Sequence, residues 1–296
     1  MSTELQTGIT YALLAGTLWG ISPLMLKRGL RHADVSTATL IEQCVSVVFL
    51  TLLALYSGEI AYLDVGSRSF WAFFLAGAVG ASFGKVFYYK GIDRVGASKA
   101  TSIKNGSPIL TALLAVIFLG EAMNGFIAAG VCLIVLGIAA LSRMKSTEVG
   151  GAARLNAFLF PLIAAFCFGI NPVFKKIGVD AASLPILGAL ITQATALLFM
   201  LIFARVIALR PKWGPVPLNA VCLFSLSGIA EALGSLFTFF ALIHGPASLL
   251  SPIWRISPLV TFALAHFTLR GIEVVTLRDG LAAGLIVGGV FVLSQG

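Results

Sequence analysis

The feature that most constrains this chain is an internal repeat, offset by 150 residues, within a sequence that is almost entirely apolar. A gapless alignment of residues 84–121 with residues 234–271 gives 11 identities in 38 positions, more than so apolar a composition produces by chance. The identical pairs are Gly84/Gly234, Phe87/Phe237, Ala97/Ala247, Ser98/Ser248, Ile103/Ile253, Ser107/Ser257, Pro108/Pro258, Thr111/Thr261, Leu114/Leu264, Ala115/Ala265 and Leu119/Leu269. Two related halves in an apolar chain are typical of secondary transporters, whose repeats meet around a central site.

The composition excludes a water-soluble fold. Hydrophobic residues make up 58% of the chain and charged residues 11%, whereas a soluble domain carries about 25% charged residues. Ten stretches approach the roughly 20 apolar residues that a transmembrane helix needs. They lie near residues 8–27, 36–57, 69–90, 97–119, 125–142, 156–175, 184–208, 218–242, 247–269 and 279–295. The runs are continuous rather than alternating, which excludes a transmembrane β-barrel.

These observations predict an all-α integral membrane protein with ten transmembrane helices, arranged as two inverted five-helix repeats around a central cavity. Residues 1–142 form the first repeat, residues 143–155 a linker, and residues 156–296 the second repeat. An odd number of spans in each half inverts one repeat relative to the other, and this arrangement suits alternating access. The connections are too short to contain a soluble domain.

The basic residues are distributed unevenly between the two sides of the membrane. Fourteen of them fall on one side, and only Arg68, Lys175 and Lys176 fall on the side that holds the termini. The positive-inside rule therefore places both termini outside the cytoplasm. The same asymmetry accounts for the net charge of +8 without a nucleic-acid partner.

Proline pairs recur at matching positions in the two halves. The first helix is predicted to end over residues 19–23 and the sixth over residues 168–172, because proline removes a helical hydrogen bond. In lipid such a break needs a covering of protein or a water-filled cavity. The predicted hinges are Pro23, Pro108, Pro172 and Pro258; the alternative is that these bends are only structural. Close helix contacts are also predicted at the small-residue spacings Gly16/Gly20, Gly80/Gly84 and Gly280/Gly284/Gly288.

Ionisable residues at membrane depth are costly and point to a binding site. The repeat aligns Lys85 with Ser235, which lies one helical turn beyond Glu231. A cavity with both signs of charge would suit a zwitterion such as an amino acid, whose carboxylate needs a cation and whose ammonium needs an anion. The alternative is that Lys85 and Glu231 simply neutralise each other. Glu42 and Lys104 lie equally deep.

Arg255 precedes the Ser257-Pro258 break, and the repeat aligns Lys104 and Asn105 with Trp254 and Arg255. An arginine here could bind a carboxylate or phosphate through its planar fork, or it could cap carbonyls that the break leaves free. Deep aromatic residues would suit a medium-sized, partly aromatic solute. The predicted substrate-binding residues are Trp19, Ser22, Lys85, Tyr88, Tyr89, Asn171, Glu231, Ser235, Phe237, Trp254 and Arg255.

The chain resembles the drug/metabolite transporter superfamily, in its EamA-type branch. The residues that carry the resemblance are Trp19-Gly20 with Lys27 beyond, Ser107-Pro108, and Leu119-Gly120-Glu121 at the end of the fourth helix; the second half departs from this last motif at residues 269–273. Within the branch the chain is most similar to YddG-type exporters of aromatic amino acids. The resemblance implies efflux, a bacterial inner membrane, a central cavity, and cytoplasmic termini. The charge distribution favours the opposite orientation, so the orientation stays open.

The function predicted from the sequence is secondary transport, with export of amino acids that have aromatic or large neutral side chains. The alternative is a multidrug exporter of cationic hydrophobic compounds. An enzyme is disfavoured because the chain has no catalytic motif, and no nucleotide-binding P-loop is present. Cys44, Cys132, Cys167 and Cys222 have neither metal-ligand nor disulfide spacing. We therefore expect no cofactor and no metal, with the substrate and the bilayer as partners, and a monomer as the functional unit.

Overall fold

The computed structural model describes residues 3–30, 33–95, 100, 103–143, 158–206, 216–268 and 277–293. Every regular element within these residues is a helix. The first half contains α1 (Thr3–Gly29), α2 (Val35–Ser57), a 3₁₀-helix (Glu59–Tyr62), α3 (Arg68–Leu75), a π-helix (Ala76–Phe83), α4 (Gly84–Val95), α5 (Ser107–Leu119) and α6 (Gly125–Arg143). The second half contains α7 (Leu159–Ala181), α8 (Pro185–Val206), α9 (Leu218–His244), α10 (Ala247–Trp254), α11 (Ser257–Thr268) and α12 (Leu277–Leu293).

The helices form a membrane-spanning bundle. Six segments in the described part of the chain are long and apolar enough to cross a membrane, and shorter apolar helices accompany them. The six are Thr3–Leu26, Thr37–Ser57, Arg68–Tyr88, Leu159–Ala181, Pro185–Phe203 and Leu218–His244. Large apolar side chains such as Leu52, Ile117 and Phe291 are exposed on the surface of the bundle, as a lipid-facing surface requires. The predicted all-α membrane fold is confirmed, while the count of ten spans stays a prediction.

The two halves contact each other reciprocally. Helix α1 packs along α9, and its repeat counterpart α7 packs along α3, the π-helix and α4. The ring of Phe224 occupies the space beside Gly29, and the ring of Phe73 occupies the space beside Gly178, the repeat counterpart of Gly29. A contact that recurs with the roles of the halves exchanged is what a two-fold relation between them produces.

Hydrogen bonds between the halves follow the same reciprocal rule. Thr261 Oγ1 donates to the carbonyl of Gly20 at 2.8 Å, and Thr111 Oγ1 donates to the carbonyl of Gly169 at 2.8 Å. These four residues form two repeat-related pairs, so each half supplies one donor and one acceptor. The fold therefore binds the halves together through matched polar contacts at membrane depth, where an unsatisfied carbonyl would be costly.

The π-helix coincides with a change in the register of the repeat. Gly77 is the counterpart of Gly228, at an offset of 151, whereas Gly84 is the counterpart of Gly234, at an offset of 150. The first half thus holds one extra residue between these positions, and the wider turns of a π-helix accommodate such an insertion. Asn171 Nδ2 donates to the carbonyl of Ala76 at 2.7 Å, at the start of the π-helix.

The predicted helix ends at Pro23 and Pro172 are wrong. Helix α1 continues through Pro23 to Gly29, and α7 continues through Pro172 to Ala181. The interior prolines are tolerated because side chains of the other half donate to carbonyls near each bend. In α7, Arg255 Nη2 donates at 3.3 Å to the carbonyl of Phe168, the residue whose partner N–H Pro172 removes.

The other two predicted hinges do coincide with interruptions. Pro108 is the second residue of α5, and Pro258 is the second residue of α11. The chain turns just before each of these helices, at residues 105–106 and 255–256. A proline in the first helical turn loses no hydrogen bond and has the backbone angle that the helix needs, so both residues restart the helix.

The close contacts predicted at Gly16/Gly20 and Gly80/Gly84 are confirmed, because a Cβ at each of these glycines would lie within 3.2 Å of an atom of another segment.

The third small-residue spacing gives a different result. A Cβ at Gly284 or Gly288 would meet no atom within 4 Å, so the close contact predicted for these two residues is wrong. The surroundings of Gly280 lie outside the described residues. The tight α6–α12 contact instead uses Gly130, Gly137 and Gly289, each with a backbone carbonyl 2.8 or 2.9 Å from the position of a Cβ. Spacing alone predicts which glycines share a face, but it does not show which face meets the partner helix.

Two carboxylates bind the starts of helices in the second half. Glu121 accepts hydrogen bonds from the N–H groups of Ala247 and Ser248, at 2.7 and 2.9 Å, and from Ser248 Oγ at 2.6 Å. Glu59 Oε2 accepts from the N–H of Leu187 at 2.8 Å. Partial burial raises the pKa of Glu59, although the hydrogen bonds that Glu59 accepts from the backbone oppose the rise. Both carboxylates satisfy N–H groups that a helix start leaves without a partner.

Gln43 and Gln193, which are repeat counterparts, contact each other directly. Gln43 Nε2 donates to Gln193 Oε1 at 3.2 Å and to the Gln193 carbonyl at 3.0 Å. Both side chains are buried, with exposed fractions of 3% and 5%. A residue that contacts its own counterpart lies next to the axis that relates the halves.

We expect Gln43→Leu to lower the free energy of unfolding by about 1–3 kcal/mol, because it leaves the buried Gln193 amide without its partner. The double variant Gln43→Leu/Gln193→Leu should recover most of this loss, since both polar groups are then gone. Thermal unfolding of the purified protein in detergent measures the cycle, with Gln6→Leu, at an exposed position of α1, as the control. Simple addition of the two single effects would contradict the expectation.

Candidate functional site

Six ionisable side chains from six segments converge between the two halves, and we call them the charged cluster. The cluster consists of Glu42 on α2, Lys85 on α4, Lys104 just before α5, Lys175 on α7, Glu231 on α9 and Arg255 between α10 and α11. Each member lies within electrostatic range of at least one other member. Because three members come from each half, the cluster exists only when the halves are assembled.

The acidic end of the cluster holds two carboxylates that lie close to each other. Glu42 interacts electrostatically with Glu231 and with Lys85, and it is within hydrogen-bonding reach of the Ser22 and Ser227 hydroxyls. These hydroxyls are 2.8 Å apart, and Ser227 Oγ also approaches the Ser22 carbonyl at 3.3 Å. The serine pair connects α1 to α9 and borders the carboxylate of Glu42.

Lys85 and Glu231 lie in the same cluster, as the repeat predicted. Lys85 is an electrostatic neighbour of both carboxylates. In the described part of the chain, however, no direct ion pair within 4.0 Å joins Lys85 to Glu231. Their charges therefore interact across a gap rather than through a closed salt bridge.

Lys175 is a member of the cluster that the sequence analysis missed. Its side chain is 4% exposed; Nζ donates to Thr238 Oγ1 at 2.9 Å and lies 4.7 Å from the centroid of the Phe239 ring. Glu231 is its acidic neighbour. Because α7 extends six residues beyond it, Lys175 lies inside the helix and does not belong among the boundary charges. Its neighbour Lys176 pairs with Asp180 at 2.8 Å.

The basic end of the cluster is built around one aromatic ring. Lys104 Nζ lies 5.5 Å, and Arg255 Cζ 5.6 Å, from the centroid of the Phe168 ring. Lys104 Nζ also lies 4.7 Å from the centroid of the Tyr88 ring. These distances are within the range of cation–π attraction, which favours both cations at this position. Phe168 carries no polar atom on its side chain, and the sequence analysis did not single it out.

Four other predicted site residues contact neighbouring groups within the bundle, and their role in binding stays a prediction. Phe237 stacks on Tyr11 with ring centroids 5.8 Å apart, and Trp254 is buried in the apolar core with 2% exposure. Asn171 is bonded to the π-helix as described above. Ser235 is buried, and its carbonyl accepts a hydrogen bond from Thr238 Oγ1 at 2.6 Å.

The remaining predicted residues divide as follows. Ser22, Tyr88, Lys85, Glu231 and Arg255 border or belong to the charged cluster. Trp19 packs against Gly234, and its buried Nε1 has no hydrogen-bond partner in the described part of the chain. The side chain of Tyr89 lies outside the described residues.

The described residues contain no group of three histidine, cysteine or acidic side chains that could hold a metal ion. The expectation that the protein needs no cofactor stays a prediction. What the site offers is charge of both signs beside aromatic rings, which suits binding of a charged solute with an apolar part.

The fold and the charged cluster define a class: a multi-pass helical membrane protein with two related halves and ionisable groups between them. The EamA-like transporter family matches the chain twice, over residues 6–143 and again over residues 155–295. The chain belongs to this family, whose members are membrane transporters of small molecules and not enzymes. The resemblance to the drug/metabolite transporter superfamily is thereby confirmed, and the aromatic amino-acid branch stays a prediction.

The chain is also similar to one protein in sequence and to another in structure. An uncharacterized protein of Methanocaldococcus jannaschii is 27% identical over 140 residues, which are 47% of this chain and 96% of that protein. It therefore corresponds in length to one half of this chain. A protein of known crystal structure superposes with a TM-score of 0.79 at 17% identity, over 98% of this chain and 97% of that one. At this identity the likeness shows the fold alone.

Proposed function

We propose that the protein is a secondary transporter that exports small metabolites, above all amino acids with aromatic or large neutral side chains. The observation that carries the proposal is the charged cluster, which offers carboxylates at one end and, at the other, cations that form no ion pair with a described carboxylate. An amino acid needs both, because its ammonium binds an acid and its carboxylate binds a base. The Tyr88 and Phe168 rings beside Lys104 would receive an apolar or aromatic side chain.

Transport would proceed by alternating access of two inverted five-helix repeats, residues 1–142 and 156–296, joined by the linker. The reciprocal contacts between the halves support this, because exchange of roles between equivalent surfaces is how inverted repeats switch sides. Motion would concentrate at the helix interruptions before Pro108 and Pro258, with Pro23 and Pro172 as bends within continuous helices. We further propose a monomer of ten spans in a bacterial inner membrane.

The competing function is export of cationic hydrophobic compounds. Glu42 and Glu231 could bind such a cation, but four basic members of the cluster would repel it. A labelled panel in proteoliposomes separates the two functions: phenylalanine, tryptophan, threonine, methionine, a sugar phosphate and a cationic dye, measured by counterflow. Exchange of the large neutral amino acids supports the proposal, and movement of the dye without amino acids would replace it.

Within this assay we expect Lys85→Met to raise the KM for phenylalanine about tenfold or more, because a charge-assisted contact within a low-dielectric site is lost. Glu231→Gln should do the same. Lys90→Met is the matched control, since Lys90 is an exposed lysine on the same helix as Lys85. If Lys85→Met transports with the affinity of the wild type, Lys85 serves only to neutralise Glu231.

A further inference from the structure

We propose that Lys104 and Arg255 form an oxyanion site that binds the carboxylate of the transported solute, or a phosphate group of the same chemistry. The inference rests on the proposed function and deepens it, because it assigns one charged group of the solute to one end of the cluster. It also predicts which group is indispensable: the anion, and not the ammonium.

Two cations of the charged cluster converge on one ring. Lys104 comes from the first half and Arg255 from the second, and both lie over Phe168 at 5.5 and 5.6 Å from its centroid. The two side chains lie close enough for their like charges to repel each other. At membrane depth the repulsion between such charges is weakly screened. An anion bound between them would convert this repulsion into two attractions.

No acid within the described residues balances this pair of cations. The electrostatic neighbours of Lys104 are Arg255 and Lys85, both basic, and neither Lys104 nor Arg255 forms an ion pair with a described carboxylate. Lys85 and Lys175, by contrast, are neighbours of Glu231. The two acids therefore balance the two other lysines, and the uncompensated charge of the cluster lies on Lys104 and Arg255.

Hydrogen-bond donors for an anion are available around the two cations. The contact of Arg255 Nη2 with the Phe168 carbonyl uses one of the five guanidinium N–H groups, and the lysine brings three more donors. Ser107 lies three residues beyond Lys104 and packs against Gly169, next to Phe168. Its Oγ is buried without a hydrogen-bond partner in the described part of the chain, and Ser107 is 1% exposed. Helices α5 and α11 begin three and two residues after Lys104 and Arg255, and helix starts favour anions.

The test uses the full-length purified protein in detergent and four probes whose binding is measured by calorimetry. Phenylalanine carries both charges, phenylpyruvate only the carboxylate, phenethylamine only the ammonium, and inorganic phosphate only the oxyanion. We expect the three probes with an oxyanion to bind and phenethylamine not to bind. Lys104→Met should weaken the three about tenfold or more, Lys104→Arg should retain them, and the exposed-site control Lys90→Met should leave them unchanged.

Arg255→Lys is the informative change at the second position, since complete removal of Arg255 would also expose the Phe168 carbonyl and could unfold the protein. It keeps the charge and should weaken phenylpyruvate less than Lys104→Met does. Stronger binding of phenylpyruvate than of phosphate would identify a carboxylate site, and the reverse order a phosphate site. The inference is overturned if no oxyanion binds, if phenethylamine binds as tightly as phenylpyruvate, or if Lys104→Met binds phenylpyruvate as the wild type does.

Failure of this inference and failure of the proposed function give different results. If the wild type and Lys104→Met exchange phenylalanine with the same KM, the transport function stands and the oxyanion site is wrong. If no amino acid exchanges but phosphate binds in a manner that depends on Lys104, the oxyanion site stands and the amino-acid substrate is wrong.

Discussion

Replacement of Glu121 with alanine should lower the free energy of unfolding by about 2–4 kcal/mol, because three hydrogen bonds to one carboxylate are lost at once. Two of them come from N–H groups at the start of α10, and the third from the Ser248 hydroxyl. Those N–H groups have no partner within their own helix, so the variant leaves them bare or dependent on water. The negative carboxylate also interacts favourably with the positive end of the helix dipole.

The measurement is thermal unfolding in detergent of Glu121→Ala, Glu121→Gln and the control Glu4→Ala, whose side chain is exposed in the first turn of α1. Glu121→Gln keeps one acceptor oxygen but loses the charge, so its effect should be intermediate. Ser248→Ala removes one of the three bonds and should cost least. If Glu121→Ala has the same melting temperature as Glu4→Ala, the Glu121 carboxylate does not hold the two halves together.

Gly228→Ala is the second change for which we expect a large effect, a loss of about 1–3 kcal/mol in the free energy of unfolding. A Cβ at this position would lie 2.5 Å from the carbonyl oxygen of Glu42 and 3.0 Å from Val45 Cβ. Because the nearest atom belongs to the backbone of α2, relief requires the two helices to separate. Separation would also stretch the 2.6 Å hydrogen bond from Ser46 Oγ to the Gly228 carbonyl.

The repeat provides a companion variant and the bundle a control. A Cβ at Gly77, the counterpart of Gly228, would lie 2.5 Å from the Thr192 carbonyl, so Gly77→Ala should destabilise by a similar amount. Gly284→Ala meets no atom within 4 Å and should be neutral or stabilising, since alanine favours the helix by about 1 kcal/mol. Equal melting temperatures for Gly228→Ala and Gly284→Ala would contradict the close approach of α2 and α9. Because Glu42 moves with α2, Gly228→Ala should also weaken transport.

The sequence predicted that Lys85 and Glu231 lie near each other, because the repeat places them on equivalent faces of the two halves. It could not predict that Lys175 belongs to the charged cluster. The proline at 172 suggested a helix end, and a lysine near a helix end is usually a charge at the membrane boundary. The hydrogen bond from Arg255 to Phe168 keeps α7 intact beyond Pro172, and this contact comes from the other half of the chain. Only the assembled halves reveal it.

The aromatic residues show a second limit of prediction from sequence. Phe237 and Trp254 appeared suited to a binding site because they are deep, but depth does not say which face of a helix a ring occupies. Their rings pack among apolar neighbours, whereas Phe168, which no pattern marked, lies beneath two cations. Cation–π geometry depends on where two separate helices meet, and a one-dimensional pattern does not contain that information.

The repeat counterparts of the charged cluster have a consequence for how such a chain can evolve. The counterparts of Lys85, Lys104, Arg255, Glu42 and Lys175 are Ser235, Trp254, Asn105, Thr192 and Leu26, none of which is ionisable. Two identical half-length chains would have to place every charge twice, and their binding site would look the same to a solute entering in either direction. Gene duplication and fusion free each half to lose what the other keeps. The helical scaffold can then stay nearly symmetric while the binding site has different groups at its two ends, so that a polar solute binds in one orientation.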